Sequence, residues 1–470
     1  MRSSEPPGAG EQSAGEQAAA EQSAGEHSPV GHDADKYGER AETYLRLLAE
    51  TALRLPEDPR AGRAQADRVQ RAAQVLVEAG VVTDQVVHEI LTDLQLALLV
   101  RGRPTAPVAV ATRLGRLAGF QPGSPLIPPR RKPRPWRVLP AGRATPGSRV
   151  MALVLTADRA LAPATLYFPS ALGSLESELP MPTDLTASDN LGTRYRLGYL
   201  NGTWTGSAWT GTIIIHPAPP AAARWLVISR PNDPVLRVEL TAAKAGPTAH
   251  DGVGEPLTES PGERLLTRQA EAMLTALSHG YPAGHAPIAL PDTVAILEAA
   301  GALSPLSPAP LRLAALGQLL GLPTHGPPDE VPARWTEVLA RYGRRKQPVP
   351  VTGTAAIGAA LPELDGARFA IAGLHSGASG TFLHILVQGL RPFTRSFPPG
   401  QPTDSGFSWW ARDDAGGWHL GAFEDISPAG GPEGLLRLAL LPPLGHLTAT
   451  LTLQVSGLTQ HATANLLVRW

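Results

Sequence analysis

Six short segments of this chain return in the same order roughly two hundred residues later, and this recurrence constrains the fold more than any other feature. Gly38-Glu39-Arg40 returns as Gly262-Glu263-Arg264, and Ala79-Gly80 as Ala300-Gly301. Arg130-Arg131-Lys132 returns as Arg344-Arg345-Lys346, and Gly147-Ser148-Arg149-Val150 as Gly366-Ala367-Arg368-Phe369. The stretch from Asp189 to Gly198 returns as Asp413 to Gly421, one residue shorter, and Pro219-Pro220 returns as Pro442-Pro443. The offsets are 224, 221, 214, 219, 224 and 223, a drift that loop insertions explain. The expectation is an α+β multidomain chain, an internal duplication of a unit made of a small helical bundle followed by an antiparallel β-sandwich.

The boundaries follow from local pattern. Residues 1–37 repeat variants of Ala-Glu-Gln-Ser-Ala-Gly-Glu with almost no large apolar side chain, so they read as a disordered acidic tail. Residues 38–102 read as the first helical bundle. Tyr44, Leu45, Leu47 and Leu48 start one amphipathic stripe, and Val69, Ala72, Ala73, Leu76 and Val77 another, closed by Gly80. A third helix begins with Thr83 as its N-cap and carries Val86, Val87, Ile90, Leu91, Leu94 and Leu98. Residues 103–146 form a basic, Pro-rich linker, 147–242 the first sandwich, and 243–261 a second linker. Residues 262–345 form the second helical segment, 346–365 a linker, and 366–470 the second sandwich. The 48 Gly and 48 Pro among 470 residues, about a fifth against a usual ~12%, suit these linkers.

Composition excludes several classes. With no Cys, the chain has no disulfides, thiolate nucleophiles or sulfur-ligated zinc. A net charge of −1 supplies no overall basic field for nucleic acid. The linker does carry Arg130, Arg131, Lys132, Arg134, Arg137 and Arg143, with only Phe120 and Trp136 as aromatics. That pattern reads as a solvated basic segment rather than a nucleic-acid surface. No run reaches the ~18 apolar residues of a membrane helix and no signal-peptide core is present, so the expected location is cytoplasmic, without membrane insertion.

Catalytic motifs are wanting. None of the four lysines stands in a phosphate-cradling loop, so no cofactor is expected. Gly373-Leu374-His375-Ser376-Gly377 has His where a nucleophile elbow needs Ser, and Leu374–Gly380 reads as a hairpin loop. His279 and His285 sit in a Gly/Pro loop with only Asp292 nearby, so no metal site is assigned.

The remaining candidate is a hairpin rich in aromatics and acids. Trp409, Trp410, Arg412, Asp413, Asp414, Trp418 and His419 form the candidate binding surface, with Tyr195, Tyr199, Trp204 and Trp209 in the matching region of the first half. Alternation sends Trp409 and Trp410 to opposite faces of a strand, one into the core and the other outward, under a loop or against the helical part. Gly192 and Gly416 are expected at positive φ in tight turns.

This Asp-x-x-Gly turn and its following aromatic resemble an element of immunoglobulin-like accessory domains in bacterial cell-envelope and regulatory proteins. The arrangement also resembles uncharacterised proteins of high-GC bacteria, in keeping with 37 Arg against four Lys. The resemblance implies an immunoglobulin-like sandwich and no activity. Two functions remain open: a non-enzymatic binding, regulatory or assembly protein with a protein partner, or a carbohydrate-binding or hydrolytic enzyme using the Asp413/Asp414 hairpin.

Overall fold

The computed structural model describes residues 30–54, 59–83, 85–90, 92, 137–140, 149–156, 158–167, 184–205, 208–230, 233–240, 254–278, 290–319, 330–343, 353–377, 380–389, 406–428, 433–468 and 470. The helices are α1 (Val30–Arg54), α2 (Pro59–Glu78), α3 (residues 85–90), α4 (Pro261–Ser278), α5 (Leu290–Ala299), α6 (Ala309–Leu319) and α7 (Ala333–Gly343). None is long and apolar enough to cross a membrane.

Helix α1 starts at Val30, which corrects the tail boundary drawn at residue 37. Helical hydrogen bonds close locally, so a helix can extend through polar residues without a core. Residues 1–29 of the expected tail, and most of the 103–146 linker, lie outside the described residues. Thr83 caps α3 as the sequence indicates, its Oγ1 accepting from Val86 N at 3.3 Å.

The two helical parts end their second helices in the same way. Gly80 (φ 72°) and Gly301 (φ 69°) both take the left-handed conformation. In the first, Val81 N donates to Leu76 O at 3.0 Å; in the second, Ala302 N donates to Leu297 O at 2.8 Å. This double closure satisfies carbonyls that the helix end leaves bare. The glycines also join the halves: a Cβ on Gly80 would stand 2.9 Å from Leu458, and one on Gly301 would stand 3.1 Å from Arg40. One apolar core accordingly runs from Leu45, Val69 and Leu76 through Leu266, Leu297, Leu313 and Trp335. Two bundles separated along the sequence become one shared helical body.

The strands are all paired antiparallel. In the first half they are β1 (Arg137–Pro140), β2 (Arg149–Val150), β3 (Ala152–Leu155), β4 (Ala160–Tyr167), β5 (Thr186–Asp189), β6 (Arg196–Thr205), β7 (Ala208–His216), β8 (Trp225–Arg230) and β9 (Asp233–Glu239). They form a sheet of order β1-β3-β4-β7-β6, with β2 on β4, and a second of order β5-β8-β9. The other half has β10 (Glu255–Pro256), β11 (Gly353–Ala360), β12 (Arg368–Gly377), β13 (Gly380–Gln388), β14 (Ser408–Asp413), β15 (Trp418–Pro428), β16 (Glu433–Leu441), β17 (Thr450–Ser456) and β18 (Gln460–Leu467). These make one sheet of order β10-β18-β17-β14-β15-β16-β13-β12-β11.

The succession β1-β3-β4-β7-β6 matches β11-β12-β13-β16-β15 strand for strand, and β5-β8-β9 matches β14-β17-β18. Besides β2 on β4 in the first half and β10 on β18 in the second, one ladder among the described residues differs. Trp410 pairs with Leu420 and Arg412 with Trp418, joining β14 to β15, whereas β5 has no ladder to β6.

Three expected linkers contribute strands: β1 lies within 103–146, β10 within 243–261 and β11 within 346–365. Each is short or small-residued and supplies edge pairing, so its conformation comes from the partner strand rather than from its own alternation. The segment Leu374–Gly377 is likewise the end of β12 rather than loop, with Ser376 Oγ buried 2.9 Å from Thr381 Oγ1.

Each half has its own apolar core among the strands, around Leu153, Trp209, Ile213 and Leu226 in the first and Phe369, Ile385, Trp409 and Leu453 in the second. The sheets also pack on each other. Val154 and Leu161 meet Ala370, Leu386 and Leu435, and Met151 meets Ala372.

Candidate functional site

The hairpin from β14 to β15 carries the residues singled out in the sequence, and the fold distributes them among three environments. Trp409 (1% exposed) enters the apolar core of the second half, its ring edge-on to Phe369 with centroids 5.2 Å apart. Trp410 (2% exposed) emerges on the other face, beneath the helices. Both are packing residues, so neither belongs to an exposed binding surface. A buried indole contributes more by leaving water than by waiting at a surface, and the helices supply the second hydrophobic layer. His419 and Asp413 are buried as well; Arg412 and Asp414 are exposed, and Trp418 is half-buried.

Asp413 organises the turn. Its Oδ1 accepts from Gly417 N at 2.6 Å, and Asp413 N donates to Gly417 O at 3.0 Å. Its Oδ2 lies 3.3 Å from His419 Nε2, while His419 Nδ1 lies 2.6 Å from Pro442 O. Both ring nitrogens face oxygen atoms. Burial pushes the Asp413 carboxyl up, but the hydrogen bonds from His419 and Gly417 outweigh it and hold the group below its usual range.

The first half repeats this construction with a phenol in place of the imidazole. Asp189 Oδ1 accepts from Thr193 N at 3.0 Å and Leu191 N at 2.9 Å, and Oδ2 accepts from the Tyr195 hydroxyl at 2.7 Å. Burial opposes ionisation here too, and the Thr193, Tyr195 and Leu191 hydrogen bonds overcome it, lowering the carboxyl to about 2. The next residue also has one role in both halves: Asn190 Oδ1 accepts from Arg224 N at 2.6 Å, and Asp414 Oδ2 from Ala449 N at 2.7 Å. Asp414 Oδ1 adds His446 Nε2 at 2.8 Å, which with Ala449 keeps its carboxyl far below the usual range. Gly192 (φ 73°) and Gly416 (φ 85°) take the positive φ that each turn requires.

Asp413 and Asp414 therefore serve two different turns and do not converge on a shared space. A glycosidase pair needs carboxyls about 5–9 Å apart across a cleft, and this hairpin has its carboxylates occupied by backbone N–H groups and by His419 and His446.

A polar network absent from the sequence reading lies beneath Trp410. Glu271 of α4 is buried, and its Oε1 accepts from Trp410 Nε1 at 2.8 Å and from Ser408 Oγ. Arg334 of α7 places its guanidinium 4.6 Å from the Trp410 ring centre and donates to Gln454 at 3.4 Å. Arg264, also buried, donates to Gly457 O at 3.0 Å and Ser456 O at 3.1 Å. Glu271 and Arg264 stand some 140 and 190 residues from their partners, and Arg334 stands 120 from Gln454, so no local spacing could disclose them.

Elsewhere, His375 Nδ1 on β12 sits 3.3 Å from Thr354 Oγ1. His279 and His285 lie outside the described residues. Among the described residues, no group of three or more His, Asp or Glu is placed to hold a metal ion. No family model, curated protein or solved structure matches this chain.

Proposed function

We propose that this chain is a non-enzymatic binding, regulatory or assembly protein, working in the cytoplasm and recognising a protein partner. On this reading it is a duplication of one unit, helices followed by an immunoglobulin-like sandwich, fused into a single scaffold. The observation that carries it is the fate of the aromatic hairpin. Trp409 fills one core and Trp410 another, while Asp413 and His419 bind each other and the turn backbone. The side chains richest in chemistry are spent on rigidity, which suits a platform that presents surfaces. The duplication finds support in the matching strand successions, the paired Gly80 and Gly301 closures, and the Asp189 and Asp413 turns.

The test is affinity capture from native-host extract with the intact chain, followed by cross-linking to map the contact. A stoichiometric protein partner supports the reading. Turnover of a glycoside or ester panel that disappears in Asp413→Asn or Asp414→Asn would overturn it.

A further inference from the structure

One face of the second-half sheet is covered by two different bodies, and a polar row marks the seam between them. On β13 and β16, Phe382, Ala439 and Leu441 lie against the helical core, whereas Leu386 and Leu435 meet Val154 and Leu161 of the first half. His384 stands between these two apolar stretches, with Arg437 opposite it on β16 and Gly373 opposite it on β12. Leu383 and Ile385 enter the strand core, so alternation turns His384 to the covered face. The first half lies directly on this row: a Cβ on Gly373 would stand 2.9 Å from the Met151 side chain. His384 is 2% exposed, and its Nε2 has no hydrogen-bond partner among the described residues. Arg437 pairs with Glu424 of β15 at 3.0 Å, and both side chains keep some exposure, so the seam reaches water at that end.

We propose that this row is an acid-operated latch: a proton on His384 parts the first-half strands from the second-half sheet while each half keeps its own ladders. A neutral imidazole tolerates a dry site at the cost of one bare nitrogen, but an imidazolium adds a charge and must place a donor at each nitrogen. At Nε2 nothing among the described residues accepts it. The charged groups that act on His384 are His375 of β12 and Arg437, neither of which offers a negative charge, and the Glu424 carboxylate is held by Arg437. Asp425 stands opposite Arg437 in the ladder, one strand further from His384. The first half brings Met151, Ala152, Val154 and Leu161 to the contact, all apolar. Water then reaches the ring once one cover lifts. The helical cover is held by hydrogen bonds from Glu271 and Arg264 as well as by packing, so the apolar contact with the first half yields first. Burial, then His375 and Arg437, lower the covered His384 to about 3, whereas an uncovered imidazole takes its proton near 6.5. The closed form is therefore favoured above about pH 6.5, and parting gains up to about tenfold per pH unit below it.

The test uses the full chain. With no native Cys, Ala221→Cys and Thr463→Cys place one spin label on an exposed position of each half. Double electron–electron resonance reads their separation, with far-UV circular dichroism in parallel. From about pH 7 to about pH 4 a longer separation should grow in reversibly while the strand signal holds. His384→Gln should keep the short separation throughout. Leu161→Ala, which loosens the contact without touching the row, should move the change to higher pH. A separation fixed down to about pH 4, parting that persists in His384→Gln, or a midpoint unmoved by Leu161→Ala each overturns the latch. So does strand signal lost in step with the separation, which would mean unfolding rather than parting. Should His384→Gln not fold, the native and Leu161→Ala profiles decide.

Discussion

His419 meets Asp413 six residues along the chain, 3.3 Å from ring nitrogen to carboxylate, and Tyr195 meets Asp189 at the same spacing, 2.7 Å from hydroxyl to carboxylate. Two different side chains hold the same corner because the carboxylate, not its partner, does the organising. Each Asp accepts one backbone N–H four residues on, and whichever side chain stands at the sixth position completes the set.

Asp189→Ala should therefore destabilise the first half by about 1.5–3 kcal/mol, the usual cost of removing hydrogen bonds to a charged acceptor. The folded carboxyl is lowered to about 2, below its unfolded value near 3.9, so its contribution is present above about pH 4 and is lost as pH falls towards 2. Denaturant unfolding of the native chain at stepped pH should show that loss, and Asp189→Ala should flatten it. An unchanged slope would refute the role given to Asp189.

His384 supplies a second acid-sensitive element, with a different window. It is buried on β13 opposite Arg437, and burial, His375 and Arg437 together lower it to about 3. An unfolded His takes its proton near pH 6.5, so its contribution is complete above that and declines as pH drops towards 3, by at most about 1.4 kcal/mol per pH unit. His384→Leu should flatten the stability profile between pH 6.5 and 4 without altering the Asp189 phase below it.

Glu271 should prove expensive to truncate. Glu271→Ala removes the acceptor of both Trp410 Nε1 and Ser408 Oγ and leaves neighbouring guanidinium charge uncompensated, for a cost of about 3–5 kcal/mol. Glu271→Gln keeps an acceptor and should cost less. Tryptophan emission should shift red in the Ala protein as Trp410 gains water; a blue or unmoved spectrum would argue against the contact.

Gly192→Val and Gly416→Val test backbone strain alone. A Cβ at Gly192 would meet nothing within 4 Å, and one at Gly416 only Arg412 at 3.6 Å, so the cost comes from positive φ. About 1–3 kcal/mol is expected for Val and much less for Asn, which tolerates the left-handed region. Because Val154 and Leu161 pack on Ala370, Leu386 and Leu435, strain in the first half should be felt in the second, and thermal unfolding should shift as one transition.

The glycines at 80, 192, 301 and 416 were legible because only a few residues tolerate positive φ, and Trp409 and Trp410 were legible as opposite-facing because strand alternation is a local rule. Edge strands β1, β10 and β11 were not, since their residues alternate too weakly and their conformation is imposed by the strand beside them. Glu271 was illegible for a related reason: its partners arrive from a strand about 140 residues away.

By itself, then, the sequence determined what depends on neighbours along the chain: the helix stripes and caps and the Asp-x-x-Gly turns. The tertiary structure decided which faces those elements share. It merged the two helical parts into one core, closed the second half into a nine-stranded sheet while leaving the first in two pieces, and buried Trp410 while exposing Arg196. Local propensity is a matter of backbone sterics and short-range hydrogen bonds. The choice of face is settled by apolar area brought together from distant segments, and no window along the chain contains that sum.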